Sequence, residues 1–306
     1  MAPDSTTLAA VVIELLRHGI VYLYNVPRHE SSIVRIATRI ANIRETLYGR
    51  TFDVRAKPDA ENVAYTSRHL DLHQDLCYLS PPPMIQMLHC LDNSCAGGES
   101  LFSDGDRAGR LLWPFLRAGS PALAALAEYP VPYQYDKHGH FYHAARSVLR
   151  RHHDHRGRPV FAGVCWSPPF QGRHFGPDAD VDGPAPDLRA WIPAARLFQS
   201  LISDPRSVHT YKMRAGECVL FDNLRVMHGR TAFDASAGGE RWLRGAYIAA
   251  EDFLSRAANV PLERGGASAP EEAERQLRQD PCFAELERKL KEMDKGVEGV
   301  GSVEAG

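Results

Sequence analysis

Leu8, Val12, Leu15 and Leu16 recur at helical spacing behind Ser5 and Thr6, which suit a helix start, and Gly19 stands where such a helix would stop. Ile20 to Tyr24 reads as a strand ended by Pro27, and Ile33, Ile36, Ile40 and Ile43 then predict a second amphipathic helix. Residues 85–90 form an apolar run with the character of a buried strand, and 101–103 a shorter one after the turn Ala96-Gly97-Gly98-Glu99-Ser100. Residues 106–128 are helical in composition, with breaks expected at Pro114 and Pro121. The stretch 129–186 is rich in Pro, Gly, His and Arg and predicts long loops around a few strands such as 160–166. A helix is expected from Asp187 to about Ile202, with a kink at Pro193, followed by core strands at 208–213, 218–221 and 242–248. The tail from Pro270 to Met293 is amphipathic, with Leu277, Leu286 and Leu290, and Pro281 divides it into two short helices.

The strands are short and far apart in sequence, which predicts a mainly β fold: an antiparallel double sheet closed into a jelly-roll core with flanking helices. Residues 1–263 are expected to form one catalytic domain, 264–295 a C-terminal helical extension and 296–306 a disordered tail. The amphipathic extension could pack on its own chain or make a homodimer contact.

Composition narrows the function classes. The chain has 306 residues, 44% of them hydrophobic, a formal charge of -2 and a pI near 6.7. That balance gives no reason to expect nucleic acid or an anionic membrane as partner. No apolar run is long enough to span a bilayer, and the run at 8–13 does not read as a signal peptide. The six cysteines are scattered without a C-x-x-C, which predicts reduced thiols in a cytoplasmic protein and no zinc cluster.

The candidate chemistry lies in two stretches. In Asn62-Val63-Ala64-Tyr65-Thr66-Ser67-Arg68-His69-Leu70-Asp71-Leu72-His73-Gln74-Asp75, His73 and Asp75 are two apart, so on one extended strand both side chains leave the same face. Phe221-Asp222-Asn223-Leu224-Arg225-Val226-Met227-His228-Gly229-Arg230 supplies a third ligand, His228. Two His and one carboxylate leave three positions open, the facial arrangement of non-heme Fe(II) oxygenases. The same residues, taken singly, also read as strand polar groups and a core histidine.

The ordered set Tyr48-Gly49-Arg50-Thr51, Asn62 to Thr66, His73-Gln74-Asp75, Leu88-His89-Cys90, Gly97-Gly98-Glu99-Ser100 with Asp104-Gly105, Gly216-Glu217, Phe221-Asp222-Asn223 and His228-Gly229-Arg230 resembles the γ-butyrobetaine and trimethyllysine dioxygenases. These belong to the taurine-dioxygenase-like Fe(II)/2-oxoglutarate oxygenases. The resemblance spans most of residues 48–250. It implies a double-stranded β-helix holding one Fe(II) on His73, Asp75 and His228, with 2-oxoglutarate as co-substrate and O2 as oxidant. It places Arg241, thirteen residues after His228, on the far carboxylate of 2-oxoglutarate, with Ser100 and Leu88 beside it. Arg suits that role better than Lys because its fork matches a carboxylate bidentately. The competing arginines are Arg230, expected in a structural ion pair, and Arg244, expected to face solvent.

By the same resemblance Tyr48, Phe52, Tyr65 and Tyr247 match an aromatic cage for a trimethylammonium group, with Asn62 also at the substrate. Four aromatics in a β-rich core read equally as packing. Phe52 stands where the family has tryptophan, and Val164 to Phe170 where it has substrate-binding asparagines. The implied reaction oxidises an unactivated C–H bond of a small, quaternary-ammonium or amino-acid-like molecule, with hydroxylation the usual outcome and succinate and CO2 as co-products. A setting in secondary metabolism fits those departures. Two rivals use the same residues: a zinc-dependent hydrolase or lyase, and a non-catalytic small-molecule sensor. The first normally shows a carboxylate base beside its ligands, and the second has no need of an intact ligand and arginine set.

Overall fold

The computed structural model describes residues 5–55, 67–172, 188–234, 238–260 and 275–301. Its centre is a five-stranded antiparallel sheet in the order β1 (Ile20–Leu23), β12 (Cys218–Asp222), β4 (Ile85–Asn93), β15 (Arg241–Ile248) and β2 (Phe52–Val54). A four-stranded antiparallel sheet runs β11 (Val208–Tyr211), β6 (Ser100–Asp104), β13 (Val226–Arg230) and β3 (Leu70–His73). A two-residue pair, β5 (Ala96–Gly97) with β14 (Phe233–Asp234), accompanies them.

Strand period explains how the two sheets and the helices share one core. On the larger sheet Ile85, Met87, Cys218, Leu220, Ala246 and Ile248 point to one face. There they pack on Val12 and Leu15 of α1 (Ser5–His18), Ile33, Ala37 and Ile40 of α2 (Ser31–Ile40), and Phe253 of α6 (Ala250–Ala257). The alternate residues Leu88, Cys90, Val219, Phe221, Leu243 and Tyr247 point the other way and join Leu72, Phe102 and Met227 of the smaller sheet. This is the mainly β, jelly-roll arrangement with outer helices that the short, widely separated strands predict.

Two regions in the middle of the chain differ from their expectations. Residues 129–164 are hairpins: β7 (Val131–Lys137) with β8 (His140–Arg146), and β9 (Leu149–His153) with β10 (Pro159–Val164). Val131, Tyr133 and Tyr135 are buried, but β8 is half-buried or exposed along its whole length, so it carries no alternation to read. Helix α3 (Gly105–Arg117) runs through Pro114, while Pro121 opens α4 (Pro121–Glu128), where its missing N–H has no helical partner to lose. The helix expected from Asp187 is α5 (Leu188–Ile202), and residues 173–187 lie outside the described ones.

The C-terminal segment has a helical turn at 275–278 and then α7 (Phe283–Gly301), on either side of Pro281. This last helix continues past Gly296, where a disordered tail was expected, because elongating a formed helix is far easier than starting one. Phe283, Leu286 and Leu290 are buried in the chain's own core. Asp294 accepts from Ser120 Oγ at 2.7 Å and from the Ala122 amide at 3.0 Å, and Arg107 pairs with Asp280 at 2.7 Å. The apolar stripe of this segment is therefore used within the chain. No described helix is long and apolar enough to cross a membrane.

Strand β4 also buries a histidine. His89 is 0% exposed, lies in register between Cys218 and Arg244, and neither of its ring nitrogens has a hydrogen-bond partner among the described residues. Burial lowers its pKa, so the folded chain holds the neutral imidazole while an unfolded chain takes up a proton below about pH 6.5. Its stabilising contribution is thus present above that pH and lost as the pH falls. His89→Met is expected to shrink the loss of stability between pH 7.5 and pH 5, as read from urea melts at the two values. An unchanged pH difference would remove His89 as the cause.

Candidate active site

The three residues singled out by spacing come together: one ligand atom from each of His73, Asp75 and His228 lies within 4.8 Å of the others. Antiparallel pairing sets the two histidines opposite each other, His228 of β13 against His73 of β3, with ring centroids 4.4 Å apart. His73 Nδ1 donates to the Asp71 carbonyl at 2.8 Å, which fixes its tautomer and leaves Nε2 free as a lone-pair donor. His73 Nε2 stands 3.2 Å from Asp75 Oδ1, and His228 Nε2 3.7 Å from Asp75 Oδ2.

Asp75 arrives by a different route from the one its spacing suggests. Strand β3 ends at His73, so Asp75 sits in the following turn and shares no strand face with it. Side chains from distant segments hold that turn in place. Gln74 brackets Trp166, its amide donating to the Trp166 carbonyl and its Oε1 accepting from the Trp166 amide, both at 2.8 Å. Asn223, completely buried, accepts from the Asp75 amide at 2.7 Å and donates to the Asp75 carbonyl at 3.0 Å and the Pro83 carbonyl at 3.1 Å. Sequence reasoning quoted Asn223 within its motif but gave it no role.

The electrostatics suit a cation. Burial alone would raise the Asp75 carboxyl, but the His228 and His73 rings beside it and the hydrogen bond from the Tyr247 hydroxyl outweigh that and hold it well below the usual carboxylate range. Burial, with His73 alongside, lowers the His228 imidazole to about 3. At neutral pH the group therefore offers a carboxylate and a neutral imidazole, the protonation states metal binding requires.

The cleft over these residues holds about 710 Å³ of empty space, counting its open mouth. Arg241, Arg230, Ser100, Leu88, Tyr48, Phe52 and Tyr247 all line it. Asn62 and Tyr65 lie outside the described residues. Arg241 opens β15 and is 6% exposed; its Nε donates to the Gly98 carbonyl at 3.4 Å. Gly98 has φ +73°, and a Cβ there would stand 3.0 Å from Arg241 Cδ, so the double-glycine turn both needs that conformation and makes room for the arginine. Among the described residues Arg241 makes no ion pair. Burial lowers its pKa to about 10, which leaves it cationic at neutral pH.

The competing arginines are otherwise engaged. Arg230 donates to the Arg68 carbonyl at 3.2 Å and, like Arg241, stacks near the Phe233 ring. Arg244, expected to face solvent, is instead tied at 2.9 Å to both Asp53 and Glu30, with Thr51 Oγ1 at 3.0 Å. Period-2 alternation puts it on the face of β15 away from the cleft, where charged residues of the β2 and α2 segments meet it.

The aromatic wall is larger than the sequence suggested. Phe52 and Tyr247 stack on each other at 4.9 Å and 19°. Tyr48 lies 6.2 Å from Phe52, and its hydroxyl is 3.3 Å from that of Tyr78, a fully buried ring packed on Tyr135 and Phe170. Phe170 and Gln86 also line the cleft but were not singled out, because apolar and amide residues in strands and loops carry no local mark of a cleft.

Several known proteins are similar to this chain. A protein named Dioxygenase str8 from Strobilurus tenacellus is 33% identical over 257 residues, covering 78% of this chain and 56% of its own. A γ-butyrobetaine dioxygenase from Pseudomonas sp. (strain AK-1) is 34% identical over 254 residues, covering 83% of this chain and 62% of its own. The chain thus spans rather more than half the length of these relatives. Among solved structures, asparagine oxygenase in complex with Fe(II), 2S,3S-3-hydroxyasparagine and succinate superposes with a TM-score of 0.58 at 18% identity, over 80% of this chain and 79% of its own. That likeness is one of fold. The family model described as "Taurine catabolism dioxygenase TauD, TfdA family" matches residues 1–247, and the chain belongs to that family.

Proposed function

We propose that the chain is an Fe(II)- and 2-oxoglutarate-dependent dioxygenase that oxidises an unactivated C–H bond of a small molecule. The observation that carries this reading is the pairing, in one cleft, of the His73, Asp75 and His228 cluster with the buried cation of Arg241. The residues fit the group: two imidazoles and one ionised carboxylate leave three positions for a chelating co-substrate and O2. When bound, Fe(II) with 2-oxoglutarate and O2 supplies the oxidising power, and succinate and CO2 leave as co-products.

The chain's own residues bind, orient and exclude water. Arg241 takes the far carboxylate of the co-substrate, where a planar fork gives two parallel charge-assisted hydrogen bonds, and Ser100, which also lines the cleft, adds a third. Leu88, Phe102 and Leu243 are apolar walls that keep bulk water from the reacting carbon. Tyr48, Phe52 and Phe170 line the approach to the substrate. A small cationic or amino-acid-like substrate fits this lining, because ring faces hold a quaternary ammonium group for about 0.5–2 kcal/mol each without hydrogen bonds.

Anaerobic titration of the apo-protein with Fe(II) and 2-oxoglutarate tests the reading, with the weak visible charge-transfer band as signal. A band, followed by substrate-dependent succinate release with quaternary amines screened first, is the expected result. Iron uptake without a band overturns it and leaves a metal-dependent hydrolase, for which Asp75 is the one carboxylate among the described cleft residues.

A further inference from the structure

The two oxygens of the Asp75 carboxylate are in unlike surroundings. Oδ2 accepts from Gln86 Nε2 at 2.7 Å and from the Tyr247 hydroxyl at 2.8 Å. A carboxylate oxygen has two in-plane lone pairs, so these two donors use the hydrogen-bonding capacity of Oδ2. Oδ1 instead faces His73 Nε2 at 3.2 Å, while His228 Nε2 stands farther off, 3.7 Å from Oδ2.

The two donors are built into the sheet. Gln86 on β4 and Tyr247 on β15 are direct register partners on neighbouring central strands, so both side chains leave the same face side by side. They are 1% and 3% exposed. The Tyr247 ring is stacked by Phe52, and the Phe52 ring in turn lies flat over Gly245, where a Cβ would come within 2.1 Å of its Cζ. Glycine at 245 lets Phe52 down onto the strand, Phe52 fixes the ring of Tyr247, and Tyr247 fixes the carboxylate. Asn223 holds the Asp75 backbone from the other side.

We propose that Tyr247 and Gln86 are positioning residues that occupy Oδ2, so that Asp75 presents Oδ1 alone to the metal. The inference rests on the metal reading above and deepens it, since a single-oxygen ligand keeps three positions open, two for a chelating co-substrate and one for O2. A carboxylate released at Oδ2 is free to swing and to take a second position, which the co-substrate must then contest. Phe52 and Tyr247 thereby have a task toward the metal whether or not they also touch substrate.

The test compares wild type with Tyr247→Phe, Gln86→Met and the double variant, titrating each with Co(II) and then with 2-oxoglutarate under anaerobic conditions. Both replacements keep side-chain volume and remove one donor. Loss of such an outer hydrogen bond is expected to weaken metal binding about 10-fold in each single variant and about 100-fold in the double, with an altered visible Co(II) spectrum. A purely structural role would lower the metal-free melting temperature and leave the Co(II) affinity and spectrum of the folded protein as they were. Folded variants that bind Co(II) within about twofold of wild type, with its spectrum, overturn the inference alone. A wild type that binds no Co(II) overturns the metal reading and this inference with it. If one single variant fails to fold, the other still decides between these results.

Discussion

His228→Ala is expected to abolish the Fe(II)/2-oxoglutarate band and to weaken Fe(II) binding by at least about 100-fold, the upper end of what losing an outer hydrogen bond alone costs. Among the described residues His228 supplies one of the three clustered atoms that could hold the metal, and its neighbours His73 and Asp75 cannot close on the vacated corner, because Asn223, Gln86 and Tyr247 fix the carboxylate and Asp71 fixes His73. The same variant has a second readout without metal. Burial holds the folded His228 pKa at about 3, below the unfolded value of about 6.5. The neutral ring therefore stabilises the fold above pH 6.5, and that contribution is lost as the pH falls, at about 1.4 kcal/mol per pH unit. Between pH 6.5 and pH 5 wild type should lose about 2 kcal/mol through this residue alone, and His228→Ala should not. Equilibrium iron titration and urea melts at the two pH values check both parts. Unimpaired iron binding in a folded His228→Ala protein would remove it from the ligand set.

Arg241→Ala is expected to leave metal binding intact and to raise the 2-oxoglutarate concentration needed for the band by on the order of 10²–10³-fold. Truncating one member of a buried, hydrogen-bonded charge pair costs about 2–5 kcal/mol, mostly through the partner left unpaired. Arg241→Lys should recover only part of the loss, since an ammonium cannot match the two carboxylate oxygens in parallel. Thermal stability in the absence of co-substrate should not fall with it. Arg241 is buried close to Arg230, whose own pKa burial and Arg241 together lower to about 10, so removing one cation relieves a like-charge contact. Co-substrate titrations at fixed iron, with melts on the same samples, separate the two effects. Equal co-substrate affinity in Arg241→Ala and wild type would shift the carboxylate role to Arg230.

The apolar runs at 85–90, 218–221 and 242–248 were enough to place the central strands, because the residue preference of a buried strand is a local property of the chain. The two polar stretches likewise picked out His73, Asp75 and His228, and the family resemblance Arg241, and the fold gathers all four in one cleft. Hairpin β7–β8 and the pairing of Arg244 were not legible, since an exposed strand shows no hydrophobic period and a side chain's ion partners come from other segments.

The sequence by itself determined the residue types of the site, the order of the strands that carry them and the arginine at the head of the last core strand. Only the tertiary structure decided how Asp75 is held. It lies beyond the end of its strand, clamped by Asn223, which is 148 positions away, and by the Tyr247 hydroxyl, which is 172 positions away. Hydrogen bonds over such separations leave no periodicity in the chain. Their partners are set by strand register and by the close approach that Gly245 allows, and both exist only once the sheet has formed.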